Sequence, residues 1–117
     1  MPELEPNVNN GKDMDDATKM ATADKLKGEG NSKVKEGDLK SAKFLYGYAI
    51  SMIEQVAMSQ EKVNLLLVLL QNSALCCNKM SDWEGSIAFC SAAIECSPKS
   101  VKAFYHRSKA HFALKKF

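Results

Sequence analysis

Polar and basic side chains recur at helical spacing in three places along the sequence. Lys27 and Asn31 lie four residues apart, as do Lys102 and His106, and Asn72 lies between the two pairs. Because side chains four residues apart share one face of an α-helix, each pair can contact the same ligand. Lysine ammonium groups and asparagine amides donate directional hydrogen bonds to carboxylate oxygens. Residues of these types at this spacing can therefore contact an anionic group such as a carboxylate.

The sequence contains no arrangement typical of catalysis or of metal binding. We identify no Ser/His/Asp set, no paired carboxylates and no glycine-rich phosphate loop. The cysteines form no Cys-x-x-Cys pair, and the adjacent Cys76 and Cys77 diverge by about 100° on a helix. We therefore expect no enzyme, no cofactor and no metal site. Free, buried thiols suit a reducing compartment, so the predicted location is the cytoplasm, with the nucleus as an alternative.

Composition indicates one soluble domain with an acidic N-terminal segment. The chain has 117 residues, of which 45% are hydrophobic and 26% are charged. Residues 1–20 carry five acids against two lysines, although the whole chain has a net charge of +2. We predict a disordered acidic leader over 1–21 and a folded domain over 22–117. No signal peptide is visible, and the longest run of large apolar residues is six, so no membrane segment is expected.

Apolar residues in the folded part recur at the spacing of helices and not of strands. Between 39 and 56 they fall at steps of three and four residues, on one helix face. Gly37-Asp38, Ser81-Asp82 and Ser97-Pro98 interrupt the pattern. The sequence therefore predicts five helices, near 22–36, 39–57, 60–80, 83–97 and 101–116. Their short connections should make consecutive helices antiparallel.

Equivalent residues recur with a fixed period along these helices. Ala74 and Ser108 are 34 residues apart, as are Leu70 and Phe104, and Gly30 lies 44 residues before Ala74. A helix–turn–helix period of about 34 residues is that of the tetratricopeptide repeat, or TPR. The predicted fold is all-α, an antiparallel helix-turn-helix TPR superhelix of about two and a half repeats. We expect the ten additional residues of the first period to lengthen the second and third helices by about one to one and a half turns each.

Three segments resemble the TPR domains of Hsp90/Hsp70 co-chaperones. They are Leu-Lys-Gly-Glu-Gly-Asn at 26–31, Leu-Leu-Gln-Asn at 69–72 and Val-Lys-Ala-Phe-Tyr-His-Arg at 101–107. The extended second and third helices and the closing Lys-Ala-aromatic-aromatic-X-Arg motif look most like FK506-binding immunophilins and the aryl-hydrocarbon-receptor-interacting protein group. The resemblance implies a co-chaperone adaptor whose partner is the C-terminal tail of Hsp90 and/or Hsp70.

In that family, the first helices of successive repeats line a concave groove, where a two-carboxylate clamp holds the chaperone's C-terminal Glu-Glu-Val-Asp. The resemblance assigns this peptide-binding role to Lys27, Asn31, Asn72, Lys102 and His106. The last position departs from the family, which usually has arginine there. Histidine is only partly charged near neutral pH and lacks the bidentate fork of arginine. Either His106 or the adjacent Arg107 can supply the fifth contact.

Two other functions remain open from the sequence. One is a TPR scaffold for an unrelated protein partner. The other is a nucleic-acid binder that would use the lysines at 25, 27, 33, 35, 40 and 43. Those lysines are not interleaved with aromatic residues suited to base stacking, and acidic residues separate them, so nucleic acid is disfavoured. The plain alternative for Lys27 and Lys102 is that they are ordinary solvated helix charges.

Overall fold

Five α-helices make up the regular structure of the chain. The computed structural model describes residues 14–115, and no strand occurs in that range. The helices are α1 (Asp16–Glu36), α2 (Leu39–Ile53), α3 (Gln60–Lys79), α4 (Trp83–Cys96) and α5 (Val101–Lys115). Each helix packs against the next one, and α3 also contacts both α1 and α5. The predicted all-α TPR architecture with five helices is confirmed.

Short polar side chains start the first four helices. Asp15, Asp38, Ser59 and Asp82 each accept a hydrogen bond from the backbone N–H three residues further on. That bond satisfies one of the donors that has no partner inside the helix. The predicted starts at 39, 60, 83 and 101 agree with the structure.

The start of the first helix differs from the prediction. Helix α1 begins at Asp16, so the prediction of disorder over 1–21 is wrong for residues 16–21. Residues 1–13 lie outside the described part of the chain. The Asp16 carboxylate accepts a hydrogen bond of 3.0 Å from the backbone N–H of Ala57. This contact between residues distant in sequence helps to hold the first turn of α1, and the composition of residues 1–21 cannot reveal it.

The ten additional residues of the first period lengthen α3 and barely lengthen α2. Helix α2 has 15 residues and the equivalent α4 has 14, so the prediction of an added turn in α2 is wrong. Helix α3 starts 14 residues before Ala74, whereas α5 starts 7 residues before the equivalent Ser108. The two additional turns of α3 lie beside the early turns of α1, where Met20 and Leu65 line one cavity.

The cysteines belong to the core and not to a reactive site. All four are free, and Cys76, Cys77 and Cys90 are buried. Burial raises the pKa of the Cys77 thiol to about 12, so this thiol stays protonated and packs as a small apolar group. Within residues 14–115, no three His, Cys, Asp or Glu side chains are grouped so that they could hold a metal ion. No helix in the same range has the length and apolarity needed to cross a membrane.

Alanine substitutions at Gly28, inside α1, and at Gly37, at its C-terminal end, should change the stability of the protein in opposite directions. Gly37 ends α1 with φ of 85°, a left-handed conformation that strains any residue with a Cβ. Gly28 lies inside α1, and an added Cβ there would meet no atom within 4 Å. We expect Gly37→Ala to lower the free energy of unfolding by about 1 kcal/mol and Gly28→Ala to raise it by about 0.5–1 kcal/mol. Urea denaturation measures both changes, and shifts of the same sign would contradict this description of α1.

Candidate peptide-binding groove

The two asparagines predicted to bind a ligand are hydrogen-bonded to one another. Asn72 Nδ2 of α3 donates to Asn31 Oδ1 of α1 at 3.2 Å, and the Tyr46 hydroxyl of α2 donates to the same oxygen at 2.5 Å. Three helices therefore meet at a single amide oxygen. Asn31 is exposed and Asn72 is half-buried, so this polar cluster reaches the surface between α1 and α3.

Tyr46 is a functional candidate that sequence reasoning missed. Tyr46 is 1% exposed and is therefore a core residue of α2. Its hydroxyl nevertheless contacts Asn31, a predicted ligand-binding residue. Burial, together with the nearby Cys76, raises the pKa of Tyr46 to about 12. The hydroxyl therefore keeps its proton throughout the physiological pH range and remains a donor. No sequence pattern sets Tyr46 apart from an ordinary core residue, because its contact with Asn31 depends on how α1 packs on α2.

Lys27 lies one turn before Asn31 and borders a cavity between α1 and α3. The cavity has a volume of about 360 Å³ and is lined by Met20, Asp24, Lys27, Glu61, Asn64, Leu65 and Val68. The Lys27 ammonium lies 3.1 Å from the carboxylate of Asp24, whose side chain is 66% exposed. An ion pair with so exposed a partner contributes little to stability, so a ligand carboxylate can compete for Lys27.

Lys102 and His106 lie one turn apart on α5, which is attached to α3 by side-chain hydrogen bonds. Gln71 Nε2 donates at 2.6 Å to Oγ of Ser100, the residue just before α5, and Asn78 Nδ2 donates to the backbone oxygen of His106 at 3.2 Å. Helix α3 thus contacts the α1 residues and the α5 residues alike. No hydrogen bond within residues 14–115 joins Lys102 or the His106 ring to the asparagine cluster. The structure therefore brings Asn31 and Asn72 into contact and places the α5 pair on the neighbouring helix.

Arg107 is directed toward α4 and away from α3. Its Nη1 donates to Ser91 Oγ at 3.3 Å, and its guanidinium carbon lies 5.3 Å from the centroid of the Phe104 ring. To supply the fifth ligand contact, Arg107 would have to leave both partners. The geometry therefore favours His106 for that position.

The surroundings of His106 disfavour its charged form. Burial lowers the pKa of His106, and the ammonium groups of Lys109 and Lys102 lower it further. Its Nδ1 atom is buried and has no hydrogen-bond partner among the described residues. His106 is therefore neutral at pH near 7 in the unliganded protein, and an anion placed beside it would restore its affinity for a proton.

A second, larger cavity lies against α2, away from the predicted residues. Its volume is about 960 Å³, and it is lined by Lys40, Lys43, Phe44, Gly47, Tyr48, Ser51, Met52, Met80 and Asp82. Phe44 is 69% exposed, and its ring meets that of Tyr48 edge-on with the centroids 6.3 Å apart. Both aromatic residues lie outside the apolar stripe that predicted α2, so no sequence pattern singled them out.

Comparison with known proteins supports the same fold and repeat. No protein-family model matches the chain. A solved structure, the C-terminal TPR-containing domain of an FK506-binding protein from Plasmodium falciparum, superposes with a TM-score of 0.81. It is 26% identical in sequence, and the match covers 87% of this chain and 72% of that one.

Several curated proteins are similar in sequence, among them a tetratricopeptide repeat protein and a co-chaperone. Tetratricopeptide repeat protein 12 of Homo sapiens is 33% identical over 95 residues, or 81% of this chain. The Hsp70/Hsp90 co-chaperone CNS1 of Saccharomyces cerevisiae is 32% identical over 94 residues, or 80% of this chain. The chain spans only 12% and 23% of the length of these two relatives. By its fold, its repeat register and its relatives, this chain is a tetratricopeptide-repeat domain, a protein-interaction module.

Proposed function

We propose that the surface formed by α1, α3 and α5 binds the acidic C-terminal peptide of Hsp90 and/or Hsp70, of the Glu-Glu-Val-Asp type, and that the chain acts as a co-chaperone adaptor. The observation that carries the proposal is the hydrogen bond between Asn31 and Asn72, two predicted ligand-binding residues that are 41 positions apart. A relative described as an Hsp70/Hsp90 co-chaperone supports the choice of partner. The proposed role needs neither a cofactor nor a catalytic group.

The donor groups suit the two carboxylates of a C-terminal aspartate. Such a residue carries a main-chain and a side-chain carboxylate a few ångströms apart. Lys27 with Asn31 on α1, and Lys102 with His106 on α5, each offer two donors one helical turn apart. Asn72 lies on α3, which contacts both of those helices. Each hydrogen bond to a charged group contributes about 1.5–3 kcal/mol, enough to select a peptide with a free C-terminus.

Removal of the Lys27 ammonium should weaken peptide binding strongly. We expect Lys27→Ala to raise the Kd for a peptide ending in Glu-Glu-Val-Asp by about ten- to a hundredfold, because one charge-assisted contact is lost. Lys25→Ala is the matched control, since Lys25 is an exposed lysine of the same helix on a different face. Isothermal titration calorimetry measures the Kd of the wild type and of both variants. Equal losses of affinity in the two variants would mean that Lys27 contributes only through the net charge of the protein and not through a specific contact.

The free C-terminus of the peptide should matter as much as its acidic side chains. A peptide of the same sequence with an amidated C-terminus lacks one of the two proposed carboxylates. We expect it to bind at least about tenfold more weakly, since a charge-assisted hydrogen bond is lost and its donor is left without a partner. Calorimetry of the two peptides against the unmodified protein makes the comparison, and equal affinities would contradict the proposed clamp.

The lowered pKa of His106 sets the expected pH dependence. A bound carboxylate raises that pKa, so the complex binds more protons than the free protein, and affinity should rise as pH falls below about 6.5. The carboxylates of the peptide stay ionised down to about pH 5. His106→Arg should tighten binding at about pH 8 and flatten the profile, because arginine is always charged. Titrations between about pH 8 and 5 test this, and a wild-type affinity that does not change with pH and is also unchanged in His106→Ala refutes it.

A scaffold for an unrelated partner is the second candidate function, and the cavity beside α2 favours it. Exposed Phe44 and half-exposed Tyr48 present an aromatic surface that the acidic peptide does not need. If the acidic peptide binds at α1, α3 and α5, Phe44→Ala should change its Kd by less than about twofold. Loss of peptide binding in Phe44→Ala, together with normal binding in Lys27→Ala, would show that the peptide binds at the α2 surface instead.

Nucleic acid is not proposed as a partner. Of the six lysines considered for phosphate binding, three lie within 4 Å of acidic side chains: Lys27 beside Asp24, Lys33 beside Glu36, and Lys43 beside Asp82. These pairings offset part of the positive potential that phosphate binding requires.

A further inference from the structure

The Asn31 amide is held by a residue that lies behind it. We propose that Tyr46 is a positioning residue of the peptide site, whose hydroxyl fixes the Asn31 amide so that its NH₂ end faces the incoming carboxylate. This inference rests on the proposed function of the α1, α3 and α5 surface. It adds to that surface a core residue that does not itself touch the ligand.

The hydrogen bonds of Asn31 determine which end of its amide is available. Tyr46 Oη and Asn72 Nδ2 both donate to Asn31 Oδ1, at 2.5 and 3.2 Å. A carbonyl oxygen has two lone pairs, so these two donors occupy it fully. The NH₂ group is then the part of the amide left for a ligand. The opposite orientation would present an oxygen to the carboxylate, and two acceptors without a proton between them repel each other.

Tyr46 can fix this orientation because the position of its ring is itself fixed. The ring is 1% exposed, and a Cβ placed on Gly30 would lie 2.6 Å from its Cε1 atom. Gly30 therefore creates the space through which a core ring reaches a surface amide. Asn72, by contrast, is half-buried and makes the longer of the two bonds. Of the two donors, Tyr46 is the more rigidly placed, and preorganised donors of this kind set the geometry of a binding site.

A double-mutant cycle separates positioning from general packing. Tyr46→Phe keeps the ring and removes only the hydroxyl, so we expect about a two- to tenfold weaker affinity for the Glu-Glu-Val-Asp peptide. In an Asn31→Ala background the same change should alter affinity by less than about twofold, because Tyr46 acts through Asn31. Equal losses in both backgrounds would overturn the proposal. Tyr48→Phe, on the same helix beside the α2 cavity, should leave affinity unchanged.

Asn31→Asp tests the orientation directly. Aspartate keeps one oxygen for Tyr46 and Asn72 but replaces the NH₂ group by a second, negatively charged oxygen. We expect Asn31→Asp to weaken binding at least about tenfold more than Asn31→Ala does, because it adds repulsion to the lost donor. If Asn31→Asp binds the peptide as tightly as Asn31→Ala does, the proposal is overturned.

The unliganded protein gives a readout that does not depend on the peptide. The side-chain amide signals of Asn31 in a ¹⁵N-correlated NMR spectrum should shift in Tyr46→Phe and stay in place in Tyr48→Phe. Thermal unfolding checks that Tyr46→Phe is folded. Unchanged Asn31 signals would overturn the role of Tyr46 even if the wild type binds the peptide. A wild type that does not bind, with shifted Asn31 signals, would support the positioning of the amide and contradict the proposed function instead.

Discussion

The close approach of α1 and α2 at Gly30 is the constraint on which the site depends. Any side chain at Gly30 would meet the ring of Tyr46, which fills the space that glycine leaves. The ring stays in the core while its hydroxyl reaches Asn31 at the surface. Protein cores pack as densely as organic crystals, so the position of this hydroxyl is set by the packing of α1 on α2. Core packing and surface chemistry are thereby coupled through one residue.

Helix α3 extends this arrangement to the rest of the surface. Asn72 connects it to α1, while the adjacent Gln71 and, two turns later, Asn78 attach it to α5. The donors on α1 and on α5 therefore have positions defined relative to one helix. A ligand with two carboxylates needs donors whose separation is fixed in advance, since ordering them on binding would cost affinity. The packing of α3 against both α1 and α5 supplies this rigidity.

The sequence predicted the features that depend on local or repeated signals. The repeat period predicted the architecture, and the breaks in the apolar pattern at Gly37-Asp38 and Ser81-Asp82 predicted the starts of α2 and α4, because these signals are local or repeated in the sequence. The start of α1 was not predicted, because the composition of residues 1–21 favoured disorder, although Asp15 caps this helix as the other caps do. The contact between Asp16 and the distant Ala57 is visible only in the structure. Residues 27, 31, 72, 102 and 106 were predicted to form a carboxylate site. The contribution of Tyr46 depends on the packing of the helices, so it appeared only in three dimensions. Nor did the sequence show that Arg107 binds Ser91 on α4.

The most direct test of the central claim is a titration of the ¹⁵N-labelled protein with the Glu-Glu-Val-Asp peptide, followed by NMR. The side-chain amides of Asn31 and Asn72 report on the proposed site, and the backbone amides of Phe44 and Tyr48 report on the α2 surface. We expect the two asparagine side chains, together with backbone amides near Lys102, to shift in a saturable way while the α2 signals stay in place. Shifts confined to Phe44 and Tyr48, with both asparagine side chains unmoved, would contradict carboxylate binding by α1, α3 and α5.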